Sequence, residues 1–272
     1  MSTRWFVVSL GVAFVAGCGG ERPDVPSRAA VDSRATGASS SDNVTAGWRV
    51  VGWEPYAGVD PSDLGVGVVF LRRAEDKAGT PGADTLLLRS APNASAVPVG
   101  AVLFTVSANG VTSYAIASAD SIRPNLVEYG YEESGAPFDS SDATGRWVRA
   151  ILGFAADGGP RIGWVDTSQP GVGTIRWTEQ LADRPLFYPK PETAAFFATP
   201  DSGTPVARPR GGDDEYAMHP EEVRGSWMRV RLVVPSDNCV DPDSVARQTR
   251  RAWIRYLDDR GRPNVWYYTR GC

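Results

Sequence analysis

One histidine, His219, and three cysteines, Cys18, Cys239 and Cys272, are all that the 272 residues contain of those types. So few imidazoles and thiols make no spaced metal-ligand cluster, and no Ser or Cys nucleophile signature accompanies them. A catalytic domain of those kinds is therefore not expected, and neither is a cofactor. Lysine is nearly missing, with only Lys77 and Lys190. That imbalance toward arginine reads as composition, not as a motif. The net charge is −4, so bulk attraction to nucleic acid or anionic lipid is not indicated. Long helical periodicities are also missing. What the chain has instead is 29 Gly, 21 Pro and nine each of Trp, Tyr and Phe. These punctuate short β-rich runs, which argues an all-β chain of small units.

The N-terminus carries a targeting segment over residues 1–17. Arg4 supplies a short basic start, and the apolar run Trp5 to Ala16 is about a dozen residues, too short for a spanning helix. It ends in Val15-Ala16-Gly17-Cys18, which resembles the lipobox of bacterial lipoproteins. The resemblance implies that Cys18 is acylated and becomes the first mature residue, with a stable membrane anchor through the lipid chains. Gly19 stands where that family places an Asp for inner-membrane retention, which implies the outer membrane, facing the periplasm. Residues 18–47 are rich in Ser, Ala, Asp, Arg and Pro, with almost no large apolar side chains. They read as a disordered tether. With Cys18 lipidated, Cys239 and Cys272 are an even pair in an exported domain and are expected to form a disulfide.

Two stretches repeat one pattern. Gly145-Arg146-Trp147-Val148-Arg149-Ala150-Ile151-Leu152 is followed by Gly163-Trp164-Val165. Gly225-Ser226-Trp227-Met228-Arg229-Val230-Arg231-Leu232 is followed by Ala252-Trp253-Ile254. In a strand, alternate side chains face opposite ways. Val148, Ala150 and Leu152 then share one face, as do Met228, Val230 and Leu232. Trp147 with Arg149, and Trp227 with Arg229, share the other. Arginine is seldom buried without a partner, so that second face is expected to be the outer one. Trp and Arg are enriched at binding hot spots. Packing at the end of a small β unit is the competing role for each Trp.

Leu86 to Gly100, with its Arg89-Ser90-Ala91-Pro92 turn, resembles the opening of bacterial SH3-like (SH3b) domains. Trp147-Val148 and Gly163-Trp164-Val165 occupy the places of that family's later strands, with Ala150 replacing a Val and Arg146 a Gly. Leu186 to Pro191, Phe196-Phe197, Trp227 and Trp253 follow the same order, more divergently. The resemblance implies two small SH3-like barrels in tandem, over 48–180 and 181–272. Trp48–Trp53 and Val66–Leu71 read as an extra N-terminal β-hairpin. Asp241-Pro242-Asp243 opens a short helix through Arg251 in the second unit.

Between the motifs lie Glu128-Tyr129-Gly130-Tyr131-Glu132-Glu133. Tyr129 and Tyr131 line a ligand groove beside Trp147, or form a strand and hairpin tip with a solvated acidic rim. His219 lies among Asp213, Asp214, Glu215, Glu221 and Glu222, at spacing too irregular for a metal site. Seven arginines from Arg247 onward face only Asp258 and Asp259. This basic patch binds an anionic partner or pairs with the acidic loop. The expected function is a lipid-anchored, non-catalytic envelope protein whose SH3-like units bind cell-wall peptide or a protein partner. A cell-wall hydrolase and a structural subunit of an envelope complex are the alternatives.

Overall fold

The computed structural model describes residues 47–53, 63–72, 82–106, 112–201, 203–206, 216–237 and 247–270. All of them belong to one compact unit spanning 39–272. Cys18, Cys239 and Cys272, and Asp241 to Asp243, lie outside the described residues.

The fold is mostly β. The first eleven strands are β1 (Arg49–Trp53), β2 (Gly67–Leu71), β3 (Gly82–Arg89), β4 (Pro98–Val106), β5 (Thr112–Ser118), β6 (Ile122–Pro124), β7 (Val127–Gly130), β8 (Glu133–Ser141), β9 (Trp147–Ala155), β10 (Pro160–Asp166) and β11 (Val172–Arg176). They form one antiparallel sheet in the order β1-β5-β4-β3-β10-β9-β8-β2-β11, with β6 on β9 and β7 on β8. A four-residue helix, α1 (Trp177–Gln180), follows. Then come β12 (Leu186–Phe187), β13 (Phe196–Phe197), β14 (Pro205–Val206), β15 (Ala217–Arg224), β16 (Trp227–Val234), β17 (Gln248–Arg255) and β18 (Trp266–Tyr267). These make a second antiparallel sheet, ordered β14-β13-β17-β16-β15-β12-β18. Both orders are open paths, and neither sheet closes into a barrel among the described residues.

Two sequence expectations fail here. The N-terminal hairpin does not form, although both its strands do. β1 pairs with β5 over five residues, while β2 lies between β8 and β11. Gly67 to Phe70 of β2 are buried, and a buried strand needs a partner on each edge. β1, largely exposed, adds to the sheet margin. The second failure is the helix through Arg251. Gln248–Arg251 opens β17, which pairs with β16 along eight residues. A ready edge of that length holds Gln248–Arg251 extended.

The alternation read from sequence sets the inner faces. Val148, Ala150, Leu152, Met228, Val230 and Leu232 are all buried. One apolar cluster lies within the first sheet, around Leu88, Ile116, Phe138 and Leu152. The other joins the sheets: Val68, Phe70 and Tyr129 pack with Trp177, Leu186, Met218, Val230 and Tyr267. Trp177 is its keystone, with its ring 5.0 Å from that of Trp266 and its Nε1 donating to the Leu64 carbonyl at 2.9 Å. Polar ties cross the same seam. The Tyr267 hydroxyl donates to the Tyr129 carbonyl at 2.8 Å, and Gln180 Nε2 donates to it at 2.9 Å.

Candidate functional site

The repeated strand pattern is the start of a repeated three-strand meander. In β9–β10, Trp164 lies opposite Arg149 and Asp166 opposite Trp147. In β16–β17, Trp253 lies opposite Arg229 and Arg255 opposite Trp227. Each second Trp therefore faces the Arg two residues beyond the first Trp. The preceding strand of each meander also carries a β-bulge at the same place. Asp139 is the extra residue between Phe138 and Ser140, and Glu221 is the extra residue between Pro220 and Glu222. A bulge re-aims a side chain, and here it sends an acid to the arginine. Arg149 makes two bonds to Asp139, at 2.8 and 2.7 Å. Arg229 lies 3.4 Å from Glu221 and 2.8 Å from Glu222.

The copies differ in what covers their tryptophans. Trp147 is only 5 % exposed, which corrects its expected place on an open face. The Arg146 guanidinium lies 5.8 Å from its ring centroid and is held there by Asp166, at 3.0 and 2.6 Å. Those bonds, together with two from Ser168, hold the Asp166 carboxyl well below the ordinary carboxylate range. Trp227 stays half-buried, with Phe197 edge-on to its ring at 5.1 Å. Trp253, beneath the guanidiniums of Arg224 and Arg229 at 4.9 and 5.9 Å, is buried.

Trp227 forms part of the wall of a groove of about 640 Å³. Tyr188 and Phe197 add aromatic surface, and Lys190, Arg255 and Arg262 stand among Asp201, Asp258 and Asn264. Tyr188 donates its hydroxyl proton to the Ala195 carbonyl at 3.1 Å, and burial raises its pKa above the ordinary tyrosine value. It is a neutral donor there, not a base. Burial alone would raise the Asp258 carboxyl. Bonds from the Arg262 and Arg260 N–H groups and from the Arg262 guanidinium hold it below its ordinary value instead. A groove of this size, apolar with a few placed polar groups, has the character of a ligand site. Among the described residues, no group of three His, Cys, Asp or Glu side chains is placed to hold a metal.

Arg149 lines a separate cleft of about 540 Å³, with Asp139, Ile151, Phe154, Arg260 and Arg262. Arg262 thus borders both spaces. Trp147, Tyr129 and Tyr131 line neither. Tyr129 is a core residue, 4.5 Å from Phe70, while Tyr131 is 66 % exposed. The segment around them is a hairpin, β7–β8, but its acidic rim is not simply solvated. The Glu128 side chain is 7 % exposed and lies 2.8 Å from Arg270 Nε. The groove's other members escaped sequence reasoning. Phe197 was visible only as half of an apolar pair, and Arg255 and Arg262 only as part of a basic run.

The sequence matches no protein-family model, and neither a curated protein nor a solved structure is found to be similar to it.

Proposed function

We propose that the chain is a lipid-anchored, non-catalytic binding protein of the cell envelope, taking cell-wall peptide or a protein partner in the groove at Trp227. The observation that carries this reading is the groove itself. It sets an aromatic wall of Tyr188, Phe197 and Trp227 beside Lys190 and the ion-paired Arg255 and Arg262, a combination suited to a peptide with apolar and polar groups. Its tyrosine and its best-bonded carboxylate are both held in their ordinary charge states at neutral pH. We read the two repeated meanders as divergent, opened SH3-like units, the second of them adapted for binding. The lipobox-like Val15-Ala16-Gly17-Cys18 supports an anchor at Cys18 and an envelope location, and Cys239 is proposed to bond Cys272.

A pull-down of the full-length protein on purified sacculi tests the reading. Retention is expected for the wild type, and Trp227→Ala should weaken it about thirtyfold, the effect of losing roughly 2 kcal/mol of aromatic contact. Equal retention of both proteins would overturn the groove assignment. Turnover of muropeptides by the purified protein would overturn the non-catalytic role. Fatty-acid labelling should mark the wild type and not Cys18→Ser.

A further inference from the structure

The two meanders superimpose by register, and one matched position differs in kind. In the first, Ile151 lies directly opposite Ile162. In the second, the residue four places beyond the leading Trp is Arg231, and it lies directly opposite Arg251. His219 flanks Arg231 on the other side. One face of the second sheet therefore carries the row His219–Arg231–Arg251 across β15, β16 and β17, where the first copy has an apolar pair. Directly opposed residues have Cβ atoms about 4.5–5.5 Å apart, and like charges so placed destabilise the sheet.

Among the described residues, the neighbouring acids relieve this only in part. Glu222 is bonded by Arg224 at 2.6 Å and approached by Arg229 at 2.8 Å. Glu221 is bonded by Arg251 at 2.9 Å and lies 3.4 Å from Arg229 Nε, and that buried nitrogen makes no hydrogen bond among the described residues. Asp237 is taken by His219 at 2.7 Å. Four guanidiniums, of Arg224, Arg229, Arg231 and Arg251, thus share two carboxylates. Arg231 has no carboxylate partner among the described residues. Among the described residues, three carboxylates, of Glu221, Glu222 and Asp237, thus serve four guanidiniums and His219, and the Arg251 side chain is 73 % exposed, so the row is open to solvent.

We propose that the His219–Arg231–Arg251 row is an oxyanion site whose ligand is a phosphate dianion. Two guanidiniums on adjacent strands can each present paired N–H donors to one tetrahedral anion. A phosphate offers oxygens enough for both guanidinium forks at once, whereas a carboxylate has only two oxygens to share between them. The ligand would offset the repulsion between Arg231 and Arg251, so the site is stabilised by its occupant. This site is separate from the groove at Trp227 and does not rest on the function proposed for that groove.

Inorganic phosphate is the probe, with the full-length protein at fixed ionic strength made up with chloride. Phosphate should raise the melting temperature and broaden its own 31P resonance. Acetate at equal ionic strength should do much less, and an equal effect would overturn the dianion. Arg231→Gln should weaken phosphate binding at least about tenfold. Without phosphate it should melt no lower than the wild type, because it removes a repulsion. Arg231→Lys should keep part of the phosphate response. No phosphate effect on the wild type, an undiminished effect in Arg231→Gln, or a lower phosphate-free melting temperature for that variant would each overturn the proposal.

Discussion

The tryptophans that open the repeated strands have the same local sequence and opposite surroundings. Trp147 is enclosed beneath the Arg146–Asp166 pair, whereas Trp227 borders open space beside Phe197. Trp147→Ala should therefore cost stability, about 3–5 kcal/mol for a buried aromatic, and lower the melting temperature. Trp227→Ala should fold normally and lose affinity for sacculi. Thermal melts and pull-downs on both variants give opposite signatures if this holds. Asp166 carries a pH signature as well. The Arg146 guanidinium and the Ser168 donors depress its folded-state pKa, so its contribution is present above the unfolded carboxylate value, about 3.9, and is lost as pH falls toward the folded one. Asp166→Asn should melt below the wild type at pH 7, and the gap should close on acidification below about pH 4. A gap that widens in acid would show that the pairing is not its source.

At the scale of the element, the bulge at Glu221 adds a residue to β15 and aims its acid without changing the faces of the flanking pairs. Glu221 is partly exposed and reaches Arg251, itself mostly exposed, so its ion pairs are screened. Glu221→Ala should cost no more than about 1 kcal/mol. Deleting Glu221 is a different perturbation. It removes the extra residue of β15, so that Pro220 opposite Val230 and Glu222 opposite Arg229 become neighbouring pairs in one uninterrupted ladder. Both flanks keep their faces, and Met218 stays in the core. The deletion is therefore expected to leave the second sheet folded, read by far-UV circular dichroism and by tryptophan burial. Loss of the sheet in this variant would mean that the bend made by the bulge is itself required.

For the whole molecule, the decisive feature is the shared core. Trp177 follows the last strand of the first sheet, yet it packs on Trp266 near the chain's end and donates to Leu64. Arg270 and Glu128, 142 residues apart, close the same seam. A core held in common predicts one unfolding transition. Trp177→Ala should lower stability by about 3–5 kcal/mol and bring down both sheets together. Calorimetry should show one peak in both proteins, and two separated peaks would mean that the sheets unfold independently.

The sequence by itself determined the strands and their inner faces. Period-two alternation is local, so Val148, Ala150 and Leu152, or Met228, Val230 and Leu232, could be assigned to the core with no partner known. Repetition of Trp147-Val148-Arg149 as Trp227-Met228-Arg229 foretold equivalent strands for the same reason. The tertiary structure alone decided who pairs with whom. β1 and β2 are sequence neighbours that found β5, β8 and β11 instead of each other. Gln248–Arg251 took the edge of β16 over a helix. Glu128 became a buried anion because Arg270 arrives from 142 residues away, and Tyr129 became core while Tyr131 stayed exposed. The groove belongs to this second class. Tyr188, Phe197, Trp227, Arg255 and Arg262 come from separate segments, and a local pattern carries no record of which distant segments will meet. Burial and site geometry depend on that meeting, because hydrophobic and electrostatic energies are set by what lies across the gap, not by the residue alone.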